Sequence, residues 1–73
     1  MNITLRKPTG ETVAVVPITT DEHGYLYAEH PAYAFELDCA LAGYYEGLTF
    51  GDIDDQWPEG HIVMTWTIEG ADQ

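Results

Sequence analysis

The run HIVMTWTIE at residues 61–69 does most to restrict the fold. Ile62, Met64, Trp66 and Ile68 alternate with Val63, Thr65 and Thr67, the two-residue period of a β-strand. Gly60 and Gly70 bracket the run. A second alternating stretch opens the sequence: across residues 2–7, Ile3 and Leu5 fall on one side and Thr4 and Arg6 on the other. Pro8, Thr9 and Gly10 follow as a turn cluster that closes a hairpin. Residues 12–18 are β-branched and almost wholly apolar, so they read as a central strand covered on both faces. Pro17 lacks a ladder donor, and either ends the pairing there or marks an edge.

Residues 19–24 (TTDEHG) form a polar turn. In residues 25–29, Tyr25, Tyr27 and Glu29 alternate with Leu26 and Ala28, as in a third strand or the first turn of a longer helix. The aromatic content and the preceding glycine favour the strand. One helix is expected. Pro31 suits its first position, where a missing N–H is harmless. From Tyr33 onward, Leu37, Ala40, Leu41 and Tyr44 recur at helical spacing, with Ala34 and Tyr45 flanking. Glu36 and Glu46 fall away from this stripe, with Phe35 and Cys39, and Gly47 is placed to cap the helix end. The expected fold is therefore α+β: an antiparallel sheet of three to four strands, in sequence order β-β-β-α-β, with one helix packed on one face.

At 73 residues the chain makes one small domain, residues 1–73. It is too apolar, at 45% hydrophobic, and too aromatic for a disordered acidic tail. A core of this size supplies only about 3–5 kcal/mol, so a homodimer is as admissible as a monomer. Charge is the outlier. Thirteen Asp and Glu against Arg6 and Lys7 give a net charge of −11, and self-repulsion of that size works against a compact state. Such a chain is repelled by nucleic acid and by anionic lipid, which argues against direct binding to either. One cysteine excludes an internal disulfide framework and fits a reducing cytoplasm. No apolar run approaches membrane-spanning length, and the first residues lack the pattern of a signal peptide.

Residues 46–59 (EGLTFGDIDDQWPE) concentrate the charge and read as an acidic connection between the helix and the last strand. They hold Glu46, Asp52, Asp54, Asp55 and Glu59, interleaved with Phe50, Ile53 and Trp57, without a single Lys, Arg or His. Asp52 and Asp54 resemble the start of an EF-hand loop, but Trp57 stands where glycine is needed and Val63 where the bidentate glutamate belongs. His23, His30, Cys39 and His61 show no compact zinc-ligand spacing. The chain contains no serine, and Cys39 has Asp38 beside it, which raises a thiol's pKa. Without a phosphate loop or paired carboxylates in a cleft, no enzyme, cofactor or metal is expected.

Binding remains. The acids are Glu11, Asp21, Glu22, Glu29, Glu36, Asp38, Glu46, Asp52, Asp54, Asp55, Glu59, Glu69 and Asp72. In its size, its acidity and its lack of serine, the whole chain resembles the phage-encoded inhibitors of bacterial defence, anti-CRISPR proteins and other DNA mimics. The resemblance implies a protein acting in the bacterial cytoplasm, whose partner is the basic nucleic-acid-binding surface of a protein or ribonucleoprotein complex. Asp52, Asp54, Asp55 and Glu59 are then phosphate surrogates, supported by Glu36, Glu46, Asp21 and Glu22. Phe50 and Trp57 either anchor the partner or fold inward over the core. Two other readings stand beside this one: an immunity or antitoxin module for a basic protein, and a small dimeric structural protein. The mimic needs its acids on one face.

Overall fold

In the computed structural model, residues 1–57 and 60–70 are described, with the backbone alone over 54–57 and 60–63. Glu59 lies outside the described residues, as do the side chains of Asp54, Asp55 and Trp57. The elements are β1 (Asn2–Arg6), β2 (Thr12–Pro17), β3 (Thr19–Thr20), β4 (Leu26–Tyr27), α1 (Ala34–Tyr45), β5 (Phe50–Trp57) and β6 (Gly60–Glu69). Four strands make one antiparallel sheet in the order β2-β1-β6-β5, and β3 pairs with β4 as a separate ribbon. The fold is α+β, with one helix against an antiparallel sheet.

Strands β1 and β6 are the centre of the sheet because their alternation gives each a wholly apolar side. Ile3 lies opposite Val16 on β2 and Ile68 on β6, and Leu5 opposite Ala14 and Trp66. Leu37, Ala40 and Leu41 of α1 pack on the same face, joining Ile3, Leu5, Ile53, Met64, Trp66 and Ile68 in one core. The Trp66 indole fills the space between helix and sheet. Added to Gly43 on α1 or to Gly51 on β5, a Cβ would come within 3.0 Å of that ring. Both positions must be bare for the layers to close over it.

The helix ends as its sequence dictates. Gly47 adopts φ 92°, its N–H donates to the Tyr44 carbonyl at 3.0 Å, and the Leu48 N–H donates to the Gly43 carbonyl at 3.0 Å. This is a Schellman closure, and the left-handed residue it requires explains the glycine.

Five expectations change. Residues 12–18 do not form a central strand: β2 is an edge, with Val15 and Pro17 exposed. Pro17 fits that position, since an edge strand has one side on which no ladder donor is needed. The third strand shrinks to the two residues of β4, paired with β3 outside the main sheet. Pro31 is not the first helical residue; it sits in a turn before Tyr33, the N-cap. There the Ala32 N–H donates to His30 Nδ1 at 3.1 Å. Cys39 is half-buried against the core rather than off the apolar stripe.

The largest change concerns residues 46–59. Residues 50–57 are not a connection but the edge strand β5, paired along its length with β6 from Phe50↔Thr67 to Trp57↔Gly60. The element order is thus β-β-β-β-α-β-β. Aspartate is depleted in strands, so the local composition argued for a loop. Pairing with a strongly strand-forming neighbour overrides it.

Candidate partner-binding surface

Strand alternation divides the expected site. Gly51 and Ile53 face the core, so Phe50 and Asp52 belong to the opposite, helix-free face of the sheet. Phe50 is 72% exposed and Asp52 is exposed beside it. Phe50 therefore does not fold inward. In the backbone register Asp54 stands opposite Val63 and Asp55 opposite Ile62. Adjacent strand positions belong to alternate faces, so 54 shares the face of Asp52 and 55 does not.

The helix-free face also holds the two central strands' polar residues. Thr4, only 2% exposed, donates its hydroxyl to Glu69 Oε1. Arg6 donates from Nη1 to Thr67 Oγ1 at 3.2 Å and lies 3.7 Å from Glu69 Oε1. Lys7 pairs with Glu11 at 3.4 Å across the first hairpin turn. Both cations of the chain are thus held by carboxylates at the β1 end, leaving none to offset the acids elsewhere.

The supporting acids lie on the helix and in the turn between β3 and β4. Asp21 organises the β3–β4 turn: its Oδ1 accepts the N–H groups of His23 at 2.8 Å and Tyr25 at 2.9 Å, an arrangement only a short acceptor side chain reaches. Glu22 next to it is exposed, 3.9 Å from His23. Tyr45, on the last turn of α1, accepts the Leu26 N–H on its hydroxyl at 2.9 Å and ties the ribbon to the helix end. Glu46 follows Tyr45 as the helix C-cap and is exposed. Its carboxylate sits at the negative end of the helix dipole, where it costs stability. Glu36, in the first turn of α1, is half-buried.

The tie between Leu26 and Tyr45 links the ribbon whose turn carries Asp21 and Glu22 to the helix end that carries Glu46, while Asp52 and Phe50 stand on the helix-free face of the sheet. Over a surface of 4998 Å², thirteen carboxylates average about 385 Å² apiece. Duplex DNA, taken as a cylinder of roughly 20 Å diameter, carries about one charge per 110 Å². Neither group of acids amounts to a full duplex imitation by itself.

Sequence reasoning passed over a third feature. Tyr27, Glu29, His30, Pro31, Ala34 and Asp38 line a depression of about 820 Å³ where the ribbon meets the start of α1. Its signal was the Glu-His-Pro run before a helix with an aspartate one turn in. Among the described residues no three His, Cys, Asp or Glu side chains group to hold a metal ion, and no helix is long and apolar enough to cross a membrane. No family model, curated protein or solved structure matches the chain. Any functional reading therefore stands on charge and geometry alone.

Proposed function

We propose that this protein is an acidic inhibitor that docks on the basic nucleic-acid-binding surface of a bacterial protein or ribonucleoprotein complex, in the manner of a DNA mimic such as an anti-CRISPR. It acts by binding and not by catalysis. The observation that carries this reading is the placing of charge: Arg6 and Lys7 pair with Glu69 and Glu11, and among the described residues no other acid has a Lys or Arg partner. A chain selected only for folding and solubility is usually kept at a net charge of roughly 2–8, with mixed signs. Glu46 points the same way, because it stands where a carboxylate opposes the helix dipole.

The acids engage the partner as two sets, positions 52 and 54 from one face of β5 with Asp55 and Glu59 close to them in the sequence, and Asp21, Glu22, Glu36 and Glu46 from the helix and ribbon. Exposed Phe50 is the apolar anchor of the first group. A cleft closing around the protein, and not a flat surface, is the partner shape that reaches both.

The test is capture from bacterial lysate on the immobilised protein at low and high salt, with duplex DNA as competitor. Nucleic-acid enzymes should be retained at low salt, released at high salt and displaced by DNA. Capture indifferent to both overturns the reading. With the partner in hand, reversing Asp54 and Asp55 to Lys should abolish inhibition while the fold persists. An immunity or antitoxin module, the second reading, would instead silence a basic enzyme that works without a guide RNA.

A further inference from the structure

The depression between β4 and α1 has the chemistry of a receptor for one kind of side chain. Its walls are partly aromatic and aliphatic, from Tyr27, Pro31 and Ala34, and its charge comes from Glu29 and Asp38. Both carboxylates are exposed, and neither is in an ion pair among the described residues. His30 is held in place: its Nδ1 accepts the Ala32 N–H at 3.1 Å, and its ring packs on Tyr33 with centroids 5.0 Å apart. The depression, of about 820 Å³, is open to solvent, as a site that receives one side chain of a docking protein has to be.

We propose that this depression binds an arginine side chain of the partner. A guanidinium is planar, stacks on an aromatic face and offers a fork of donors to carboxylates, which matches the lining of Tyr27, His30, Glu29 and Asp38. An ammonium satisfies the charge but not the flat walls. The occupant is a foreign basic protein and not a second copy of this chain. A second copy brings only Arg6 and Lys7, both already paired, along with its own charge of −11. The proposal rests on the reading of the protein as a binder of basic surfaces, and names one group it takes hold of there.

The experiment is an amide NMR titration of the full chain with N-acetyl-arginine methylamide, alongside the citrulline and lysine analogues. Arginine should give saturable shifts confined to residues 27–30 and 34–38, with an affinity on the order of millimolar. Lysine should bind more weakly, and citrulline, which keeps the shape without the charge, should not saturate. The double variant Glu29→Gln, Asp38→Gln should weaken arginine binding by about tenfold or more. Both positions are exposed, and the variant's own amide spectrum reports whether the fold is kept. Absence of saturable shifts, shifts centred on Phe50 and Asp52, or equal binding of citrulline each overturns the proposal. If arginine fails here while DNA-competed capture persists, only the pocket falls. If arginine binds but capture ignores salt and DNA, the inhibitor reading falls and the pocket remains.

Discussion

The two faces of the four-stranded sheet are built from the same strands and obey different rules. On the helix side, Trp66 is clamped between Gly43 and Gly51, and no atom can be added at either glycine without moving the indole. On the other side, one residue away in β5, Phe50 and Asp52 project into solvent. Interior packing at near-crystalline density makes the first face intolerant of change, whereas exposed positions on the second leave room for it. Tight packing and solvent exposure are divided by the thickness of one strand.

The largest effect expected from breaking this division is at Trp66. Trp66→Ala should cost about 3–5 kcal/mol, as much as a core of this size supplies. Far-UV circular dichroism at 25 °C should therefore show an unfolded chain, and a cooperative urea transition in the variant would mean that the indole is not the centre of the core. Gly51→Ala comes next. It should lower stability by about 1–3 kcal/mol through overpacking, while Asp52→Ala beside it stays within about 0.5 kcal/mol. Urea midpoints of the two variants compare adjacent positions on opposite faces directly, and equal losses would erase the distinction.

Glu46→Gln should act in the opposite direction. Removing a carboxylate from the helix C-terminus should raise stability by about 0.3–1 kcal/mol, measured as a higher urea midpoint with unchanged slope. The same variant should bind the captured partner less well, which would mark Glu46 as kept for recognition at the expense of stability. The smallest stability effect belongs to Phe50→Ser, within about 0.5 kcal/mol of the parent. Its effect on partner affinity should be far larger, about 2 kcal/mol for a central anchor. Titration calorimetry with the captured partner separates the two quantities, and an unchanged affinity removes Phe50 from the interface.

Much of this architecture was legible before any coordinates. The alternation around Ile3 and Leu5 and around Trp66 and Ile68 located β1 and β6. The spacing of Leu37, Ala40 and Leu41, with Gly47 after it, located α1 and its end. These elements carry their own periodicity and termination signals, so local chemistry identifies them. Strand β5 carries neither. Asp52, Asp54 and Asp55 are poor strand formers, and only the ladder to β6 holds them extended. Residues 12–18 failed for the complementary reason. Their apolar run suits a buried strand, but position in a sheet depends on which neighbours arrive, and only β1 does.

The candidate site divides in the same way. The sequence by itself determined the anionic character of the chain, the scarcity of cations and the number of aromatics, because these are sums over residues. Only the tertiary structure decided where that charge acts. A strand's two-residue alternation assigns neighbouring positions to opposite faces, so positions 54 and 55, adjacent in the chain, belong to different faces of the sheet. A hydrogen bond from the Leu26 N–H to Tyr45 ties the ribbon to the end of the helix, two segments far apart in the chain. The packing of β4 against the start of α1 brings Glu29 and Asp38 to one depression. Composition is additive along a chain, but proximity is set by pairing and packing between distant segments, and that is the information a linear reading does not contain.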